Sequence, residues 1–190
     1  MYIFFDTETN GLPKNWKGSL TDVNNWPRVI QLAFIVTDEN FNETFRFCEL
    51  IKPNNWIIPN EKFWIDNGYS TEINLEKGID MFDALDIFIY YLNKCEYMFA
   101  HNMKFDYPIL ICEMIRYNIK ASKKLNKICT MEGSTSFCNL PRNKWPKLEE
   151  LHEILFGEKF DNAHDALADV SATVRCAKKL VELNVIEIPK

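Results

Sequence analysis

The chain has 190 residues, 47% of them hydrophobic and 26% charged. That length supports a buried core without covalent staples, and that composition excludes a disordered or fibrous chain. The formal charge of −5 excludes a broad basic face for gripping nucleic acid, while leaving room for a small site that handles it.

Residues 2–5 are a short apolar run rich in β formers and read as a buried strand that ends at Asp6. The run is too short for a signal sequence or a membrane span. Residues 9–27 carry Asn10-Gly11, Pro13, Gly18 and Pro27 and read as loop. Residues 29–37 read as a second strand, 38–42 as a turn and 43–51 as a third strand closing a hairpin. Residues 52–60 hold two prolines and three asparagines and form a connector. A helical stripe of apolar residues runs over 81–92. A fourth strand follows at 97–100, then a helix over 105–117 and a fifth strand at 127–131. A short helix at 148–156 and a long one at 163–183 complete the chain. Repeats, low-complexity tracts and internal linkers are absent, so the expectation is one domain over residues 1–190. Its element order predicts α/β architecture with a mixed sheet. The six cysteines lack C-x-x-C spacing, which argues against structural zinc and for reduced, mostly buried thiols in a cytoplasmic protein.

Carboxylates stand where a metal site would want them. Asp6 and Glu8 are two apart, so a strand points both to one side. Two carboxylates on one side repel unless a cation sits between them. Such a pair alone is a weak signal, because most are solvated turns. Asp106 follows His101-Asn102-Met103-Lys104-Phe105 at the start of a helix, where it also suits the helix dipole, and Asn102 could simply cap that helix. His164 and Asp169 open the last long helix as H-D-A-L-A-D. A histidine titrates near neutrality and suits a general base when carboxylates stand nearby.

In chain order these segments are F-F-D-T-E-T-N-G-L, H-N-M-K-F-D-Y-P-I-L and H-D-A-L-A-D. The set resembles the three motifs of the DnaQ-like 3′→5′ exonucleases, the histidine subtype (DEDDh) of the DEDD superfamily. Residues 128–131 and 147–151 also look like that family's intermotif segments. The resemblance implies an RNase H-like fold, a mixed five-stranded sheet flanked by helices. It implies that Asp6, Glu8, Asp106 and Asp169 hold two divalent ions, Mg²⁺ or Mn²⁺, with Asp6 bridging them, and that His164 deprotonates the attacking water. Such a pair of ions suits phosphodiester hydrolysis, and oxygen ligands suit Mg²⁺. By the same resemblance, backbone around Thr9, Asn10 and Gly11 meets the terminal nucleotide, Leu12 wedges against its base, and Asn102 and Phe105 shape the pocket. For Leu12 and Phe105, plain packing is an equal alternative. Asn10 stands where many relatives have threonine, and no role is carried over to residues 64–69.

The implied activity is release of nucleoside monophosphates from the 3′ end of single-stranded or frayed DNA, in proofreading or repair. One alternative is trimming of RNA 3′ ends. Another is a non-catalytic accessory domain of a replication complex, which the intact acidic set argues against. A DNA polymerase is a further expected partner, with the chain stand-alone or docked on a face, since it ends soon after its last helix. Trp16, Trp26 and Trp145 fall in loop-like segments near Lys14, Lys17, Lys144 and Lys147. They offer a path for single-stranded nucleic acid, although plugging gaps under loops is the favoured reading. No role is assigned to His101 or His152, and Asp165 is read as solvated.

Overall fold

The computed structural model describes residues 1–120, 123, 125–160 and 165–189. Strands β1 (Tyr2–Thr9), β2 (Val29–Thr37), β3 (Glu43–Leu50), β4 (Tyr97–Ala100) and β5 (Asn126–Cys129) form one sheet in the order β3-β2-β1-β4-β5. β1 pairs antiparallel with β2 and β2 with β3, whereas β4 runs parallel to β1 and β5 parallel to β4. The helices are α1 (Lys62–Asp66), α2 (Thr71–Lys77), α3 (Met81–Leu92), α4 (Met103–Arg116), α5 (Thr130–Cys138), α6 (Leu148–Phe156) and α7 (Ala166–Glu182).

Alternation along β1 divides the core into two layers. Ile3 and Phe5 join Leu32, Phe34, Leu85, Phe88 and Leu110 on the face covered by α3 and α4. Tyr2 and Phe4 join Ala33, Ile35, Phe99, Val170 and Ala177 on the face covered by α7. Cross-strand partners obey the same division, with Phe4 opposite Ile35 and Phe5 opposite Phe34. β2 is buried along its whole length, as a central strand covered on both faces must be. The β2–β3 turn is built by Asp38, whose Oδ1 accepts from the backbone N–H groups of Asn40 and Asn42 at 2.8 Å each. Among the described residues, no helix is long and apolar enough to cross a membrane. All six cysteines are free; Cys95, Cys112 and Cys176 are buried and the other three half-buried.

The mixed five-stranded sheet is as expected, and several boundaries differ. β1 continues four residues beyond Phe5, because Asp6, Thr7 and Glu8 keep their ladder partners Ala33, Leu32 and Gln31. β5 ends at Cys129, where pairing with β4 stops, and the expected end of that strand is the first turn of α5. The buried residues of α5 are Thr130, Met131, Ser134 and Thr135. They have helical spacing, but polar side chains fill most of the stripe and hide it from a hydrophobicity reading. α1 and α2 lie where no helix was expected. α2 carries ordinary end signals: Ser70 accepts from the Ile73 N–H, Glu72 sits in the first turn and Lys77 in the last. Its one buried residue is polar; Asn74 donates to the Ile30 and Ile51 carbonyls at 2.7 and 3.0 Å. The last helix starts at Ala166, capped by Asp165, and residues 163 and 164 lie outside the described residues.

Candidate active site

The register of β1 decides where its acids go. Asp6 and Glu8 share parity with Tyr2 and Phe4, so they emerge on the α7 face just beyond the apolar core. α7 brings Asp169 to them from its first turn. Asp6, Glu8 and Asp169 offer carboxylate oxygens that all lie within 4.8 Å of one another. Thr7 has the opposite parity and faces α4. Its N–H and hydroxyl donate to Oδ1 of buried Asp106 at 3.2 and 2.8 Å. The four carboxylates line one cavity of about 200 Å³, with His101, Asn102, Phe105 and Leu148 as neighbours.

Burial and mutual repulsion raise Asp6, Glu8 and Asp106. Asp6 is held well above the usual carboxylate range by desolvation, then by the charges of Asp106, Asp169 and Glu8. Glu8 is pushed up to about 8 by desolvation and by Asp169 and Asp106. Desolvation also raises Asp106, against the opposing pull of its bonds from Thr7. Crowded carboxylates of this kind bind protons or a cation. The donors are hard oxygens without a thiolate, which fits Mg²⁺ or Mn²⁺.

Residues outside the motifs hold this arrangement. Gln31, a polar residue in an otherwise apolar strand, lies opposite Glu8. Its Oε1 accepts from the Ala166 N–H at 3.0 Å and from the Tyr69 hydroxyl at 2.7 Å, which ties the first turn of α7 to β2. Asp165 caps α7 by accepting from the Ala168 N–H at 3.0 Å. The expectation that Asp165 is merely solvated is therefore corrected: it is half-buried and defines where α7 begins. Trp64 donates its indole N–H to the Thr9 carbonyl at 3.0 Å, so the segment around residues 64–69 supports the site. A glutamine inside a run of buried apolar residues is a legible signal, whereas nothing local marks Tyr69 or Trp64.

Of the expected substrate residues, Asn102 and Phe105 line the cavity. Asn102 makes no side-chain cap bond, so the simple capping expectation is corrected. Its φ is +122°, a conformation costing about 1–3 kcal/mol that concentrates at functional sites. The Thr9 hydroxyl donates to the Gly11 carbonyl at 2.8 Å. Asn10 accepts from the Arg28 N–H at 2.8 Å and donates to the Ile57 carbonyl at 3.3 Å, so its amide braces the loop after β1. Leu12 is 71% exposed. His164, the expected general base, lies outside the described residues. His101 stays neutral: burial pushes it down to about 4, and its ring nitrogens meet the Thr130 hydroxyl and the Pro146 carbonyl at 3.0 Å each. His152 is buried against Phe156 and Phe160.

Solved structures of exonuclease I share this fold. A moderately thermophilic exonuclease I from Methylocaldum szegediense superposes with a TM-score of 0.70 at 22% identity over 95% of this chain and 40% of that one. E. coli exonuclease I in complex with a dA16 oligonucleotide gives 0.71 at 23% identity, again over 95% of this chain and 40% of that one. The zinc-bound form of the E. coli exonuclease I complex with single-stranded DNA gives 0.71 at 22% identity over 96% and 40%. The chain thus spans about 40% of the length of these structures. No curated protein sequence matches the chain. The RNase T family model, described as Exonuclease, matches residues 3–177, a span that takes in the sheet, Asp6, Glu8, Asp106 and Asp169, and the chain belongs to that exonuclease family.

Proposed function

We propose that the chain is a divalent-metal-dependent 3′→5′ exonuclease that releases nucleoside monophosphates from single-stranded or frayed DNA. The observation that carries this reading is the convergence of Asp6, Glu8 and Asp169 within 4.8 Å, with Asp106 lining the same cavity. Asp6, Glu8, Asp106 and Asp169 would hold Mg²⁺ or Mn²⁺. Bound ions of this kind supply an activated water and stabilise charge on the leaving 3′ oxygen.

The chain's own residues do the rest. Thr7 fixes one oxygen of Asp106 and leaves the other for the cavity. Gln31 and Asp165 set where α7 begins and so where Asp169 stands. His164, next to the Asp165 cap in sequence, would take the proton of the attacking water. Asn102 and Phe105 would bound the terminal nucleotide, backbone around Thr9 to Gly11 would meet its sugar, and exposed Leu12 would press on its base. DNA is favoured over RNA because the similar E. coli exonuclease I has been solved with a dA16 oligonucleotide.

Digestion of matched DNA and RNA oligomers, with free or blocked 3′ ends and with Mg²⁺ or Mn²⁺, tests the reading. Mononucleotides should appear from free 3′ ends only, faster from DNA, and Asp6→Ala should lower the rate by on the order of 100-fold or more. Release from 5′ ends, or an unaffected Asp6→Ala enzyme, would overturn it.

A further inference from the structure

A second and larger concavity of about 1050 Å³ opens beside the catalytic cavity. Its walls include Trp16, Lys17, Lys104, Tyr107, Lys127 and Trp145. The two spaces are continuous in their lining: Asn102 borders both. Phe105, a wall of the catalytic cavity, packs its ring 5.8 Å from that of Trp16. The three tryptophans that line the groove divide into two kinds. Trp26 is 4% exposed and donates its indole N–H to the Ser19 carbonyl at 2.9 Å, so it is a plug. Trp16 and Trp145 are 56% and 50% exposed, which offers wide apolar faces to whatever enters.

Cations accompany these rings. Lys104 Nζ lies 5.2 Å from the centre of the Trp145 ring and 2.5 Å from Glu132. Lys127 Nζ lies 3.9 Å from the centre of the Tyr107 ring. Three lysines face one acid, Glu132, along the lining. Both rims are braced. The Trp145 segment is held through the Pro146 carbonyl by His101. The Trp16 loop is held by paired bonds between Asn15 and Asn25 at 2.8 and 3.0 Å. Gly18 permits that closure, since a Cβ there would meet Asn25 Nδ2 at 2.5 Å.

Flat apolar faces interleaved with fixed cations suit a flexible polyanion that carries stacking bases. We propose that this groove binds the nucleotides upstream of the scissile one in a single-stranded substrate. Bases stack on Trp16 and Trp145, and phosphates meet Lys17, Lys104 and Lys127. The inference rests on the exonuclease reading of the adjoining cavity, and it goes further by placing the strand's path on residues outside the three motifs. Continuity with that cavity and the excess of lysine favour nucleic acid over a protein segment.

The test is fluorescence anisotropy of labelled oligothymidylates of two to twelve nucleotides, in a nuclease-dead Asp169→Asn background with Mg²⁺. Trp16→Ala and Trp145→Ala should each weaken binding of the dodecamer by about 10-fold, the lower part of the range for losing one stacked base. The loss should shrink as the oligomer shortens, which a merely structural role would not produce. Exposed Tyr90, outside the groove, supplies the control: Tyr90→Ala should bind every length like its parent. Equal affinity of parent and tryptophan variants at all lengths would overturn the proposal and return the groove's apolar lining to a protein interface. Binding is read without turnover, so a protein that binds as described but fails to digest 3′ ends would refute the catalytic reading and leave the groove standing.

Discussion

Glu8 sets folding against its own charge. Its ordinary value is 4.5, and the folded site pushes it up to about 8. Below about 4.5 the group is protonated folded or unfolded and folding is indifferent to it. As pH rises from there to about 8, the unfolded chain loses the proton while the folded chain retains it, so metal-free stability falls. Asp6 and Asp106 act in the same direction. A divalent cation competes with those protons, so its affinity should rise with pH over the same interval. Differential scanning fluorimetry with and without Mg²⁺ should therefore show a stabilisation that grows between pH 5 and 8. Glu8→Gln should melt higher than wild type at pH 8 without metal and match it at pH 4, while binding Mg²⁺ about 10–100-fold more weakly. A metal response flat across that range would refute the account. Thr7 gives a second prediction at this scale. Thr7→Val keeps the backbone bond to Asp106 and loses the 2.8 Å hydroxyl bond, at a stability cost of about 1 kcal/mol. Metal affinity, read by calorimetric titration, should drop about 10-fold because the Asp106 carboxylate is no longer fixed. The acids were legible only through the three motif segments taken together, since the Asp6 and Glu8 pair alone is a weak signal; Thr7 was not, because its partner lies 99 positions away.

At the scale of elements, the loop between β1 and β2 is held from outside itself. Glu113 of α4 is buried and accepts from Arg28 Nε at 2.8 Å, Arg116 at 3.0 Å and the Val29 N–H at 3.2 Å. Arg116 donates onward to the carbonyls of Val23, Trp26 and Pro27, so one helix clamps the end of the loop that carries Trp16. Glu113→Gln leaves two guanidinium groups without their counter-charge, and removing one partner of a buried network costs about 3 kcal/mol. Urea denaturation should show that loss at unchanged slope. A variant as stable as wild type would mean that the loop is anchored elsewhere. The elements that were legible owe it to their apolar pattern, a buried run in β2 and β4 and a helical stripe in α3, and with α6 these coincide with their expected spans. α5 was not, because Thr130, Ser134 and Thr135 do the burying. Nor were α1, which buries nothing, and α2, which buries only Asn74.

At the scale of the whole molecule, the acidic balance and the nucleic-acid reading are compatible. Two divalent ions among the carboxylates would lift the formal charge of −5 to about −1. The groove beside the cavity carries a local excess of lysine over acid. This makes the salt dependence of binding a measure of footprint. Each phosphate contact to a single strand contributes about −0.7 to the slope of log affinity against log salt. Contacts from Lys17, Lys104 and Lys127 therefore predict a slope of about −2, or a loss of about 15-fold between 50 and 200 mM salt. Replacing Lys104 and Lys127 together by alanine should leave a slope of about −0.7. Titrations of a labelled dodecamer at four salt concentrations would decide it. A slope of about −5 or steeper would require around seven phosphate contacts, a wide basic face that a chain of net charge −5 does not offer. A slope near zero would place the strand's backbone away from these lysines altogether.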